Sequence, residues 1–442
     1  MALLDVTFIK QAGGLGVPTP GEDHVSGLSF YNSMIPPGFV ELWVTGTAYL
    51  IGDIVQESDL VYIALTDHTA GVFATDLAAN EWILDPSLEN IIKVFRSIDE
   101  VEAIGIVEGV VNFDIEHYHI SEFFRKAPKG ILWVGFAKVP GGAPTFTEVT
   151  DMQTVAAGKI KQFGVYPGDI VFSTTEVTTL QSILLALETD HKPPSALYTA
   201  DFTGTTVSAL TDLKTLNSHK VTVVVGEDAG ARGAALAITA TFSISHIGAS
   251  LGAISDAAVS ESIHHVARFN MILQANGLAG VELDKIGFAT GETLDSVLDS
   301  VIATADENHY LFLRKHVGID GSFHNNSLTS TAANSDFRSI PNNRVIDKAT
   351  REVRTLVLPL LGSPLLLNTD GTLREDTRQT FKVAAQTALD LIVASNDLSD
   401  AEAEVDATQD VITTNTLEIS IKLVPVIPAD NIIITIGFVA GL

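Results

Sequence analysis

The segment Leu417-Glu-Ile-Ser-Ile-Lys-Leu423 alternates without interruption. Leu417, Ile419, Ile421 and Leu423 fall on one side of an extended chain, and Glu418, Ser420 and Lys422 on the other. A period of two predicts a half-buried strand. Pro425 and Pro428 interrupt it, since neither can donate to a ladder. The run Asn431-Ile-Ile-Ile-Thr-Ile436 predicts a further strand. Upstream the period changes. Phe381, Ala384, Ala385, Ala388, Leu389, Ile392 and Val393 recur at helical spacing, so Glu375 to Asn396 is an amphipathic helix entered from the turn-rich Asn368-Thr-Asp-Gly-Thr. Between helix and strand, Asp397 to Asp410 carries Asp397, Asp400, Glu402, Glu404, Asp406 and Asp410 and reads as a solvated face or linker.

Working towards the N-terminus, Ile340-Pro-Asn-Asn-Arg-Val-Ile-Asp-Lys348 comes before two amphipathic helices. It follows a polar loop, Gly321 to Arg338, an apolar segment, Tyr310 to Val317, and a helix-like run, Thr293 to Ala305. Residues 246–280 are small and apolar, with a helical run from Val259 to Asn270. Residues 87–245 alternate strand and helix signals. Apolar runs at Ile131–Phe136, Asp169–Ser173, Ala196–Thr199 and Lys220–Val225 predict strands, and Met152–Phe163, Glu176–Thr189 and Thr206–Leu216 predict helices between them. Continuous apolar strands separated by amphipathic helices indicate a mainly parallel sheet covered on both faces. The fold class is therefore α/β in a mixed α+β chain.

Two further units precede that sheet. Residues 41–86 hold Trp43, Tyr49, Tyr62 and Trp82 among short β signals. These rings either stack on sugars as a carbohydrate platform or make the core of a module too small to have any other. At the start, Leu4, Val6 and Phe8 alternate with Asp5 and Thr7, and Gly13, Gly14, Gly16, Pro18 and Pro20 then break the chain. A strand cut off by such a linker has unpaired backbone groups and seeks a sheet edge, in its own domain or on another subunit.

Composition restricts the chemistry. The 442 residues carry 54 acidic and 26 basic side chains, a formal charge of −28, so general nucleic-acid binding is disfavoured. There is no cysteine, which excludes disulfides, Cys-ligated zinc and thiol nucleophiles. The N-terminal residues lack the pattern of a signal peptide, and no apolar run is long enough to predict a membrane span. Gly226-Glu-Asp-Ala-Gly-Ala-Arg-Gly233 could cradle an anion, but Glu227 and Asp228 would repel it, so it reads as a plain strand-to-helix turn. His117-Tyr-His119 would place two imidazoles on one strand face without a third ligand, and His264-His265 on a helix would face apart. Phosphate-loop and His-Glu-x-x-His patterns are missing. No catalytic residue, cofactor or metal is predicted. Arg338, Arg344, Lys348, Arg351 and Arg354 form a local basic cluster suited either to an acidic partner or to acids nearby in the chain.

The order of elements from Asp284 to Leu442 resembles the C-terminal domain of contractile tail sheath proteins of bacteriophages and related injection systems. The likeness is nearest to the subfamily related to Mu-like tail sheaths. Residues 41–86 resemble small modules of the chitin-binding type. The resemblance implies an N-terminal arm (1–20), the inserted β module (41–86), a central α/β sheath domain (87–282), a C-terminal sheath domain (283–412) and C-terminal strands and arm (413–442). It also implies a non-enzymatic subunit in a virion tail or phage-like particle, assembled in the host bacterial cytoplasm. Hexameric rings would stack around a tail tube, between baseplate and tail terminator, and contract to drive the tube through a cell envelope. Leu4, Val6 and Phe8 in one arm, and Leu417, Ile419, Ile421 and Leu423 in the other, would join neighbouring subunits, and the basic cluster would face the tube or a neighbour. A carbohydrate-binding or adhesive surface protein using the 41–86 module to hold a surface glycan is the alternative.

Overall fold

Val25-Ser-Gly-Leu-Ser-Phe-Tyr31 forms the axial strand of the fold (β1), and every one of its side chains is buried. A computed structural model describes residues 23–32, 34–36, 38–58, 60–85, 91–110, 112–274, 277, 278, 280–430 and 432–434. The small module comes next: β2 (Ala48–Tyr49), β3 (Ile54–Glu57), β4 (Leu60–Ala64), β5 (His68–Thr69), α1 (Phe73–Ala78) and β6 (Trp82–Leu84). It pairs β2 with β5, and β3, β4 and β6 in a second sheet. The central part follows with β7 (Ile92–Phe95), α2 (Ile98–Ala103), α3 (Asp114–Lys126), β8 (Ile131–Ala137), α4 (Thr147–Val155), β9 (Gln162–Tyr166), α5 (Thr174–Thr189), β10 (Ser195–Tyr198) and β11 (Val221–Val224). Then come β12 (Gly226–Asp228), α6 (Ala231–Ala240), α7 (Ile247–Asp256), β13 (Ile286–Phe288), α8 (Asp299–Glu307), β14 (Tyr310–Leu311), β15 (Leu313–His316) and β16 (Ile319–His324). The chain closes with α9 (Ile340–Val357), α10 (Glu375–Ala394), β17 (Leu398–Glu404), α11 (Val411–Thr414) and β18 (Ser420–Pro425).

The seven-stranded central sheet runs β14-β11-β10-β9-β1-β8-β7, parallel except for β7. Successive side chains point to opposite faces. Leu28, Phe30, Leu132 and Val134 meet Ile120, Phe123, Ile247 and Leu251 of α3 and α7 on one side. On the other, Phe163, Val165, Tyr198 and Val223 meet Val149, Met152, Val177 and Leu184 of α4 and α5. A mainly parallel sheet covered on both faces is thus observed as expected.

Several local expectations need correction. The helix expected through Met152–Phe163 stops at Val155, because Ala157 and Gly158 adopt φ of 51° and 77° and Gln153 turns its amide onto the Ile160 backbone. The chain then enters β9, where a strand replaces the end of the expected helix. Asp169–Ser173 is not a strand; only Val171 bridges to Asp201, and Ser173 caps α5 in a capping box with Glu176. Thr206–Leu216 forms two short 3-10 turns rather than a helix. Val259–Asn270 is a series of turns, in which the Ser262 hydroxyl lies 2.6 Å from His264 Nδ1 and competes with a helical ladder. His117 and His119 lie on α3, not on a strand, and so point to different sides. His117 Nε2 lies 3.0 Å from Glu102 Oε1, whereas His119 is enclosed between Phe30 and Tyr166 and burial pushes its pKa down to about 3. Asp397–Asp410 contains β17, because Leu398, Ala401 and Ala403 turn inward between outward acids.

Candidate assembly surface

The alternating segment at the end of the chain forms β18 and packs as its period requires. Ile419, Ile421 and Leu423 cover the core made by Val345, Ala349 and Val353 of α9 and Ala385, Leu389 and Ile392 of α10. β18 pairs antiparallel with β17, setting Ala401 opposite Leu423, Glu402 opposite Lys422 and Ala403 opposite Ile421. The two edges of this small sheet differ. Along β17, the Gln386 carboxamide from α10 donates to the Ala401 carbonyl at 3.0 Å and accepts from the Ala403 N–H at 2.8 Å. That edge is capped by a side chain. Since Ala401 and Ala403 direct their backbone groups away from β18, antiparallel alternation directs those of Ile421 and Leu423 away from β17. Among the described residues nothing pairs with them there. Such an edge accepts an added strand. Beyond it, Ile427, Ile432, Ile433 and Ile434 are exposed.

Both terminal segments start beside this sheet. Asp23 is the first residue described, and α9 holds it: Arg351 Nη2 donates to Oδ1 at 2.9 Å, and Lys348 Nζ lies 2.9 Å from Oδ2. The same ammonium lies 2.8 Å from Asp397, which immediately precedes β17. Leu398 in turn stands opposite Pro425, where β18 ends. Farther on, Asp430 reaches His264 at 3.2 Å. Burial alone would raise the Asp23 pKa, but Arg351 and Lys348 hold its carboxyl below the usual range. Burial would lower the Lys348 pKa, and Asp23 and Asp397 raise it instead.

The predicted basic cluster therefore divides. Arg344, Arg351 and Arg354 are buried on α9, and Arg344 donates to the carbonyls of Ala257 and Ala258. Burial pushes the Arg344 guanidinium down to about 10. Lys348 faces Asp23 and Asp397, and Arg338 alone is exposed, donating to the Ala333 carbonyl. Of the expected aromatic platform, Tyr49, Tyr62 and Trp82 are buried, and Trp43 packs against the same cluster. Phe73 meets Trp43, Tyr62 and Trp82 at ring separations of 4.7 to 6.2 Å. These rings form the module's core. The Gly226–Gly233 turn is filled by its own acid: Asp228 accepts from Tyr118 Oη at 2.8 Å and from the Gly230 and Leu283 N–H groups at 3.1 Å, and burial pushes its pKa up to about 6. Leu4, Val6 and Phe8 lie outside the described residues, as do Asn431, Thr435 and Ile436. Ile432–Ile434 are described but not as a strand.

Comparison with known proteins adds to this geometry. Residues 336–442, which hold α9, α10 and the β17–β18 sheet, match the family described as DUF2586, C-terminal domain. No curated protein matches the chain. Among solved structures, a chain of the PVC sheath complex, an extracellular contractile injection system in its contracted state, superimposes with a TM-score of 0.53 and 11% identity, covering 100% of this chain and 99% of that one. The fold is that of a contractile-sheath protein. A chain of the anti-feeding prophage baseplate gives a TM-score of 0.51 at 14% identity, covering 99% of both chains. The contracted form of that baseplate gives 0.50 at 13%, covering 99% and 98%.

Within the sheath fold, the residues that sequence reasoning missed are the polar ones facing inward. Gln386 caps β17, and Asp23 and Asp397 share Lys348. Lys220, 1% exposed, links α5 and α9 through Glu188 at 3.2 Å and Asp347 at 3.0 Å. Gln386 carries one signal, a lone amide among the small apolar residues of a helix; the others carry none without the fold.

Proposed function

We propose that the chain is the structural subunit of a contractile sheath. It polymerises as stacked hexameric rings around a tail tube and contracts to drive the tube through a target cell envelope. One observation carries the reading: the sheath fold extends over the whole chain, from the central sheet to the C-terminal strands. The capped β17 edge, the open β18 edge and the adjoining roots of both terminal segments support the same reading. A neighbour's arm, with Leu4, Val6 and Phe8 as its apolar face, adds to the open edge, while Ile427 and Ile432–Ile434 extend the link to another subunit. Paired arms hold subunits together while their domains rotate as rigid bodies, and new interface burial supplies the work.

The chain divides on this reading into arm (1–20), inserted module (41–86), central domain (87–282), C-terminal domain (283–412) and closing strands (413–442). Partners are further copies, a tube protein, a baseplate and a tail terminator, and Arg338 remains free to meet an acidic surface on one of them. The location is the tail of a phage or phage-like particle assembled in bacterial cytoplasm. Membership of the Mu-like subfamily, and the chitin-binding type of the module, rest on sequence order. Electron microscopy of the concentrated chain tests the proposal: rings or tubes with sixfold rotational averages are expected, and a monodisperse monomer at every concentration would refute it.

A further inference from the structure

His68, Asp76 and Glu81 converge in the small module, each offering one ligand atom, and these atoms lie within 4.8 Å of one another. They come from three pieces of backbone: β5, α1 and the turn that enters β6. His68 Nδ1 lies 2.9 Å from the Thr66 carbonyl oxygen, which only accepts, so Nδ1 carries a proton and, in the neutral ring, Nε2 is left with the lone pair. That Nε2 is buried and has no hydrogen-bond partner. The His68 side chain is 7% exposed, and the Glu81 Oε2 atom at 3.8 Å is beyond hydrogen-bond reach. Three lone-pair donors thus face one another, an arrangement that is unfavourable alone and satisfied by a cation between them.

The surroundings hold each ligand in place. The Gly71 N–H donates to Asp76 Oδ2 at 2.8 Å, leaving Oδ1 for a ligand bond. The Glu81 N–H donates to the Asp76 carbonyl at 3.0 Å, and the Glu81 carbonyl accepts from the Leu65 N–H at 2.7 Å. Trp82 stands edge-on to the imidazole with ring centroids 5.1 Å apart. The contacts on the His68 ring and the Asp76 carboxylate fix their orientation towards a metal, and the main-chain bonds of Glu81 fix where its side chain starts. The Glu81 side chain is 31% exposed, which leaves a path for entry and a position for water.

We propose that His68 Nε2, Asp76 and Glu81 bind one divalent ion of the zinc class, with a solvent molecule completing four-coordination. One imidazole and two carboxylates suit such an ion, at bond lengths of about 2.0 to 2.2 Å. The ion ties β5, α1 and the β6 turn together in a module whose core is six buried residues, Tyr49, Val55, Tyr62, Ala64, Ala70 and Trp82. A unit this small gains most from such a staple. The site is independent of the sheath reading.

The test uses the untagged 442-residue chain, stripped with chelator and titrated with Zn²⁺, with bound metal counted after gel filtration. About one equivalent is expected, weakened about tenfold or more in His68→Gln and in Glu81→Gln at unchanged circular dichroism. Hydrogen exchange of residues 65–82 in the unaltered chain should slow on adding Zn²⁺, a readout that needs no variant to fold. No equivalent bound, an equivalent that persists in both variants, or exchange indifferent to Zn²⁺ would overturn the assignment.

Discussion

Replacing Gln386 by Leu isolates the cap on the β17 edge. The wild-type carboxamide makes two bonds to that edge, at 3.0 Å to the Ala401 carbonyl and 2.8 Å from the Ala403 N–H. A third, to Asp390 Oδ1 at 2.8 Å, lies on the exposed helix surface and contributes about 0.2 to 0.5 kcal/mol at most. Ala403 is fully buried, so its N–H is left unsatisfied when the amide is lost. An orphaned buried donor costs about 1 to 3 kcal/mol. Leu keeps the volume, so water gains no room to substitute and the loss is not softened by hydration. At about 1.4 kcal/mol per decade, protection of the Ala403 amide against hydrogen exchange should fall roughly 5- to 100-fold. Amides of the central sheet, such as those of Leu28 and Val223, should keep theirs, because local opening need not involve the whole molecule. Exchange resolved by mass spectrometry on fragments spanning 398–405 reads this directly. Unchanged protection there would refute the cap, and an equal loss across the central sheet would show that Gln386 supports the whole fold instead.

Lys220→Met removes a cation between two buried carboxylates, those of Glu188 and Asp347, and should cost about 3 to 5 kcal/mol in denaturant titration. A loss below about 1 kcal/mol would remove the link between α5 and α9 from the account. Glu148 and Glu116 are both pushed up to about 7 by burial, despite the Tyr31 and Asn32 bonds to them. Each binds its proton more tightly folded than unfolded, so its contribution to stability is fully present below about pH 4.5 and declines as pH rises through 7. Glu148→Gln should flatten the fall in melting temperature between pH 5 and 8; an unchanged slope would refute the assignment.

What the sequence discloses follows from where its apolar residues lie. β8, β10 and β11 announce themselves because strands buried on both faces need unbroken apolar runs. α10 and β18 do so because one-sided burial leaves a clean period in each. β1, the axial strand, has no such signature. Its Ser26 and Ser29 are buried but bonded to Gln162 and Glu148, at 2.8 and 3.2 Å, and at Gly27 the Phe163 ring lies 2.6 Å from where a Cβ would stand. Those partners are remote in sequence, so the polar strand looks like a loop. β17 hides for a related reason, since alternating alanines and acids have little intrinsic strand preference, and its pairing with β18 decides. At the assembly surface the basic cluster was visible as a cluster. Its partner Asp23 lies 328 residues from Arg351, a proximity only the folded chain creates.

The central claim is that one subunit's N-terminal strand adds to the open β18 edge of another. The chain has no cysteine, so introduced pairs report without background. Adjacent strands place facing Cβ atoms about 4.5 to 5.5 Å apart, and a small separation of this kind permits a disulfide. One preparation carries Cys at Leu4, Val6 or Phe8, and a second carries Cys at Ile421 or Leu423. Mixed, assembled and mildly oxidised, at least one combination should give covalent dimers joining one chain of each kind. Mixtures that never cross-link across all six combinations, although the chains assemble, would contradict strand exchange at this edge.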